Sequence, residues 1–207
     1  LVSQNTKLSF YFVLNFLAVV MASYVTFKAV IFFSIYVFGI WFYSHKLKRL
    51  PFIGNLTSAI LSIIPFFAIF MYYKNFETVI FVHAIFLFLM ISMRELTKDL
   101  ETLKGDIAQN YVTIPVAYGE NTSKIMLTIL AVLTLVPTYL LLYRFEVGYM
   151  YLFFYLSFGL LVVFLLLLWL SKTKIQYLIL HNILKFIILA GVFSILLIDV
   201  SVILNRI

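Results

Sequence analysis

Apolar residues dominate this chain in seven long runs, broken by short polar stretches. The runs cover about residues 8–24, 26–44, 52–73, 77–93, 122–143, 149–170 and 182–204. Each is close to the roughly 20 apolar residues that carry a helix across hydrocarbon. They are apolar on every face, without the ten-residue alternating segments of a barrel strand, so helices are expected. Only a helix satisfies its own backbone polar groups in lipid. The pattern predicts an all-α polytopic transmembrane bundle of seven spans, read as a single transmembrane domain over residues 1–207. Residues 174–181 read either as an interfacial turn or as the start of the last span. Pro65 and Pro137 fall inside spans, where each removes a helix hydrogen bond and is expected to kink its helix.

Composition agrees. Of 207 residues, 65% are hydrophobic and 11% charged, with a mean hydropathy of +1.13; soluble domains carry about 25% charged residues. The absence of cysteine excludes a disulfide framework, a thiolate metal site and a cysteine nucleophile. The net charge of +7 reads as topology. Lys7, Lys46, Lys48, Arg49, Arg94, Lys98, Lys104, Lys124, Lys172 and Lys174 fall on one side, against Lys28, Lys74, Arg144 and Arg206 on the other. The richer side is expected to face the cytoplasm. No basic run is interleaved with exposed aromatics, so nucleic acid is not an expected partner.

Candidate chemistry gathers on the basic side. Five of the eight acids, Glu95, Asp99, Glu101, Asp106 and Glu120, lie between 95 and 120. If the fourth span continues as helix, Glu95 and Asp99 stand at i and i+4, and Asp106 returns to the same face seven residues on, while Glu101 points elsewhere. Stacked carboxylates at a bundle mouth suit Mg²⁺, which takes one or two carboxylates together with phosphate oxygens. A solvated, charged helix end with plain surface pairs is the alternative. Lys46, Lys48 and Arg49, in the run Tyr43-Ser-His-Lys-Leu-Lys-Arg-Leu-Pro-Phe-Ile-Gly-Asn55, share that side. They could neutralise a diphosphate or simply mark topology. Asn55 could cap the third span or face a cavity. His83 lies mid-span, more in keeping with packing than catalysis. His181 and Lys185 stand at i and i+4, where Lys185 could reach a ligand or snorkel to the interface. Asp199 lies near the far interface.

The runs RELTKDLETLKGD (94–106) and VTIPVAYG (112–119) resemble the second aspartate-rich motif of the UbiA-type intramembrane prenyltransferases. YSHKLKRLPFIGN (43–55) resembles that family's loop ahead of the next helix. The resemblance covers the span pattern of essentially the whole chain and about 40 residues in motif detail; the seven spans correspond to helices three to nine of a nine-helix fold. The family's first aspartate-rich motif has no counterpart here, so the chain is expected to be an N-terminal truncation that is inactive alone. Many members carry an acid where this chain has Thr102, which leaves Asp99 and Asp106 as the expected metal ligands, with Glu95.

The resemblance implies Mg²⁺-dependent prenyl transfer from a polyprenyl diphosphate to a lipid-precursor or aromatic acceptor, inside a bacterial or archaeal cytoplasmic membrane. Asp99, Asp106 and Lys48 are the expected catalytic groups. Lys46, Lys48, Arg49, Tyr43, Asn55, Arg94, Lys98, Tyr118 and Lys185 are expected to bind substrate, with Tyr43 or Tyr118 offering a ring face to a carbocation. A transporter or channel, and a non-catalytic paralogue that binds a lipid diphosphate, are the other readings.

Overall fold

The computed structural model describes residues 3–74 and 76–197. Among them it is helical without strands. The helices are α1 (Gln4–Ser23), α2 (Phe27–His45), α3 (Ile53–Tyr72), α4 (Thr78–Ala108), α5 (Ile114–Leu133), α6 (Leu135–Tyr143), α7 (Tyr151–Leu170) and α8 (Lys174–Ser194), with 3-10 turns at Leu47–Arg49, Gly148–Met150 and Ile195–Leu197. Seven segments of the described residues are long and apolar enough to cross a membrane. The chain is accordingly an integral membrane protein, as the run pattern predicts. Asp199, Arg206 and the end of the last predicted span lie outside the described residues.

The chain divides into two compact units, the first ending at Leu47 and the second starting at Lys48. In the first unit α1 packs on α2, and their apolar side chains face outward almost throughout: no α2 residue is buried. A hairpin of this kind has little core of its own and leaves its surface to lipid or to neighbouring helices. Threonine and serine set its starts: Ser3 accepts from the Thr6 N–H and Thr26 from the Ala29 N–H, each satisfying a donor that a helix start leaves free.

In the second unit α4 is the axis, packed by α3, α5, α6 and α8. Its buried residues run from Ile80 to Leu100 and include Met90, Met93 and Leu96. They interlock with Phe154 and Phe164 of α7 and with Leu180, Leu184 and Ile187 of α8. At 31 residues and about 1.5 Å of rise each, α4 is about half as long again as the hydrocarbon is thick. Its last turns therefore stand at one rim of the bundle, and they carry the acidic run.

Two breaks matter for that rim. Inside α5, Gly119 leaves the helical region at φ 85°, ψ 168°, a conformation essentially reserved for glycine. The turns before it, which start at Ile114, thus diverge from the span that follows. The predicted fifth span is interrupted again at Thr134, three residues before Pro137, where the proline leaves the Leu133 carbonyl without its donor. By contrast, α3 passes through Pro65 as one continuous helix. Residues 174–181 belong to α8, whose start is fixed by a capping box: Thr173 accepts from the Gln176 N–H while Gln176 accepts from the Thr173 N–H.

Candidate functional site

The helical phase of α4 decides which acids meet. Asp99 and Asp106 share one face, within electrostatic reach of each other and of Glu95. Asp99 is 8% exposed. Asn55, in the first turn of α3, faces it across the seam between the helices, so Asn55 looks into the site while Phe52 occupies the cap position. Asp99 Oδ2 and Asn55 Nδ2 are both buried without a hydrogen-bond partner. An unsatisfied buried carboxylate oxygen costs free energy unless something fills its place.

Glu95 is committed differently. One oxygen takes Arg94 at 2.9 Å and the other takes Lys98, and Ser58 of α3 lies beside it. The carboxylate thus holds two cations, both about a third exposed.

Asp106 is held in place from two directions. Its Oδ2 accepts from the Thr102 hydroxyl at 3.2 Å and from the Thr113 hydroxyl at 3.4 Å. Its carbonyl accepts from the Tyr111 N–H at 2.9 Å, which curls the chain back after α4. That curl presents the Tyr111 ring to the basic pair: Lys48 Nζ lies 5.5 Å and the Arg49 guanidinium 5.6 Å from its centroid. The Arg49 carbonyl accepts from the Val112 N–H at 3.1 Å. Lys48 and Arg49 are thereby fastened to the end of α4 beside Asp106, with their charges exposed.

The donor set fits a hard divalent cation. Asp99 offers a buried oxygen with no partner, and Asp106 offers a carboxylate oriented by two hydroxyls, the outer support that metal ligands ordinarily have. Seven residues of helix separate their backbones by about 10 Å along the axis, so they are placed to hold separate cations along a bound anion rather than one cation in common. Among the described residues no three His, Asp or Glu side chains converge.

The other expected residues are spread. Lys46 and Tyr43 belong to the first unit, where Lys46 lies 6.0 Å from the Phe42 ring. Tyr118 is half-exposed and packs on Phe52 with ring centroids 5.3 Å apart. Lys185 is exposed on α8. His83 donates from Nδ1 to the Val79 carbonyl at 2.8 Å and packs on Phe154, a satisfied packing residue.

Several polar contacts had no separate signal in the sequence. Glu101, on the far side of α4 from Asp99, accepts from His181 Nδ1 of α8 at 2.7 Å, and His181 Nε2 is buried without a partner. Lys124, expected only as a topology marker, is 4% exposed. It donates to the Ser171 carbonyl at 2.6 Å, pairs with Glu120 at 3.1 Å and lies 5.7 Å from the Tyr177 ring, while the Tyr177 hydroxyl donates to Glu120. The Glu-then-Lys spacing of four was the one available clue. Tyr111 carried no signal in the sequence, and Thr113 stood out only as part of the run VTIPVAYG (112–119).

Comparison with known proteins adds a family to this geometry. The sequence model of the UbiA prenyltransferase family matches residues 1–184. Digeranylgeranylglyceryl phosphate synthase of Methanobrevibacter smithii is 33% identical over 117 residues, 54% of this chain and 41% of that protein. The protein of the same name from Thermococcus sibiricus is 32% identical over 139 residues, 67% of this chain and 49% of its own length. The chain thus spans about half, or less, of the curated relatives it matches. A solved chain from work on digeranylgeranylglyceryl phosphate synthase in membranes superposes with a TM-score of 0.71, covering 97% of this chain and 71% of that one at 20% identity; at that identity the likeness is one of fold.

Proposed function

The chain belongs to the UbiA prenyltransferase family, and from that premise we propose that the full-length protein moves a prenyl group from a polyprenyl diphosphate to a glycerol-phosphate type of lipid acceptor within the membrane. The observation that carries this reading is Asp99, a buried carboxylate with an unpartnered oxygen, on the same helix face as Asp106 and at the rim where Lys48 and Arg49 are fastened. The names of the matched relatives support a phosphate-bearing glyceryl lipid as acceptor. The preponderance of lysine and arginine at this rim supports a site facing the cytoplasm.

Asp99 and Asp106 are the proposed ligands for Mg²⁺, which would neutralise charge on the departing diphosphate. The remaining work falls to the chain. Lys48 and Arg49 draw the diphosphate to the rim and take up the negative charge that grows as the allylic C–O bond breaks. Arg94 and Lys98 sit where the anion enters, and Glu95 keeps both in place. The electron pair of the broken bond leaves with the diphosphate, and the acceptor's hydroxyl oxygen closes the new C–O bond as its proton passes to the departing diphosphate. The prenyl tail runs along the apolar helix faces, and the Tyr118 and Phe52 rings stand where a carbocation at the rim would meet a π face.

The test is prenyl transfer by membranes containing the full-length protein. Asp99→Asn and Asp106→Asn are each expected to lower kcat/KM by at least about a hundredfold, in line with the loss of an essential charge-stabilising group, with protein levels unchanged. Wild-type rates in both variants overturn the assignment.

A further inference from the structure

One more feature at the same end of the bundle carries lysines. A cleft of about 530 Å³ is lined by Tyr118, Gly119, Glu120, Asn121, Lys124 and Lys172. We propose that this cleft seats the phosphate headgroup of the lipid acceptor, a phosphomonoester recognised by Lys172, Lys124 and Asn121 rather than by carboxylate-held metal. The inference rests on the transferase reading for the identity of the acceptor, and on the cleft itself for the site.

The charge balance favours an anion. Two lysines face one glutamate, and that glutamate is occupied: Glu120 Oε1 accepts from Lys124 and from the Tyr177 hydroxyl. Lys124 is nearly buried at the floor, held by the Ser171 carbonyl, so its charge is fixed in place before any ligand arrives. Lys172 is exposed at the lip and has no carboxylate partner among the described residues. Its ammonium is the group left to complete a charge-assisted hydrogen bond. Asn121 adds an amide donor beside it.

The surroundings identify the ligand as a lipid rather than free phosphate. Trp169, Leu170 and Ile175, on either side of Lys172, are 51%, 71% and 71% exposed. A collar of bare apolar side chains next to a lysine at the end of two spans is what a headgroup with its chains in the bilayer requires. The position also suits the reaction. Tyr118 lines the cleft and packs on Phe52, three residues before Asn55, which faces Asp99. One aromatic pair therefore separates the acceptor's phosphate from the diphosphate rim, and the two anions need not compete for one set of cations.

The test uses the full-length protein in nanodiscs and reads binding and kinetics separately. Lys172→Ala is expected to weaken binding of a monoalkylglyceryl phosphate, which keeps one free hydroxyl, by about tenfold or more, the loss of one charge-assisted hydrogen bond, with Lys172→Arg restoring most of it. In transfer assays it raises the KM for that acceptor by a similar factor, while the KM for the prenyl diphosphate stays within about twofold. Inorganic phosphate is expected to compete only weakly and a neutral monoalkylglycerol to be indifferent to the substitution. Unchanged binding of the monoalkylglyceryl phosphate in Lys172→Ala overturns the cleft assignment and leaves the transferase reading intact. Inorganic phosphate binding as tightly as the lipid overturns the headgroup assignment. Because Lys172 is exposed and Lys124 is not, a folding defect in Lys124 variants does not obscure the result. Should the wild type transfer no prenyl group, the binding arm still decides whether the cleft takes a phosphomonoester.

Discussion

Lys124 of α5 donates to the Ser171 carbonyl just beyond α7, at 2.6 Å across 47 residues of sequence. With Glu120 and Tyr177 it ties three helices together directly after the break at Gly119. Lys124→Met keeps the volume but leaves the Glu120 carboxylate and the Ser171 carbonyl to share the single Tyr177 hydroxyl. The expected cost is about 2–3 kcal/mol, mostly from the partner that each group loses, read as a lower midpoint of heat unfolding in detergent. Glu120→Gln on top of Lys124→Met should recover part of the loss. An unaltered midpoint in the single variant contradicts the role assigned to this tie.

Tyr111 holds Lys48 and Arg49 by its ring face, each contact worth about 0.5–1 kcal/mol. Tyr111→Ala is expected to raise the KM for the prenyl diphosphate about three- to tenfold, as two cations lose their orientation, whereas Tyr111→Phe keeps the ring and should stay near wild type. Equal defects in both variants would point to the hydroxyl instead.

Thr102, one turn before it on α4, and Thr113, at the cap of α5, orient Asp106 through their hydroxyls. Replacing both with valine should raise the Mg²⁺ concentration needed for half-maximal transfer by about 10- to 100-fold, the usual penalty for removing the outer support of a ligand. The check is a Mg²⁺ titration in the transfer assay, with chelated, metal-free membranes as the zero point. A half-saturation that does not move would separate Asp106 from the metal.

Gly119 has nothing within 4 Å of the position a Cβ would take, so any penalty for Gly119→Ala comes from the backbone alone. That penalty is expected to be about 1–3 kcal/mol. Asn should not rescue it, because ψ 168° lies outside the left-handed well that asparagine tolerates. Full stability of either variant would show that the break is not required.

Much of this was legible in the chain, for identifiable reasons. The seven spans follow from apolar runs that match hydrocarbon thickness, and the shared face of Asp99 and Asp106 follows from a spacing of seven. The pairing of Glu101 with α8 agrees with the expectation that it points away from them. The order of the motifs led to the family. What could not be read depended on partners distant in sequence. Lys124 looks like any interfacial lysine until Ser171 and Tyr177 are brought to it by α7 and α8. Thr113 acquires meaning only because the Tyr111 N–H curls the chain back onto Asp106. His181 gave no sign that its partner would be Glu101, eighty residues earlier. Pro65 and Pro137 look alike in sequence, yet one lies within an unbroken helix and the other follows an interruption.

The continuity of α4 from Thr78 to Ala108 makes its rotational setting as much a part of the site as its side chains. Each residue advances the helix by about 100°. One extra alanine slipped in between Leu96 and Asp99 would leave every acid present, yet swing both aspartates out of register with Asn55, while the anchoring turns before it stayed seated. The bilayer-embedded stretch thus acts as a key shaft whose teeth are cut beyond the lock: what it transmits from the core to the rim is orientation.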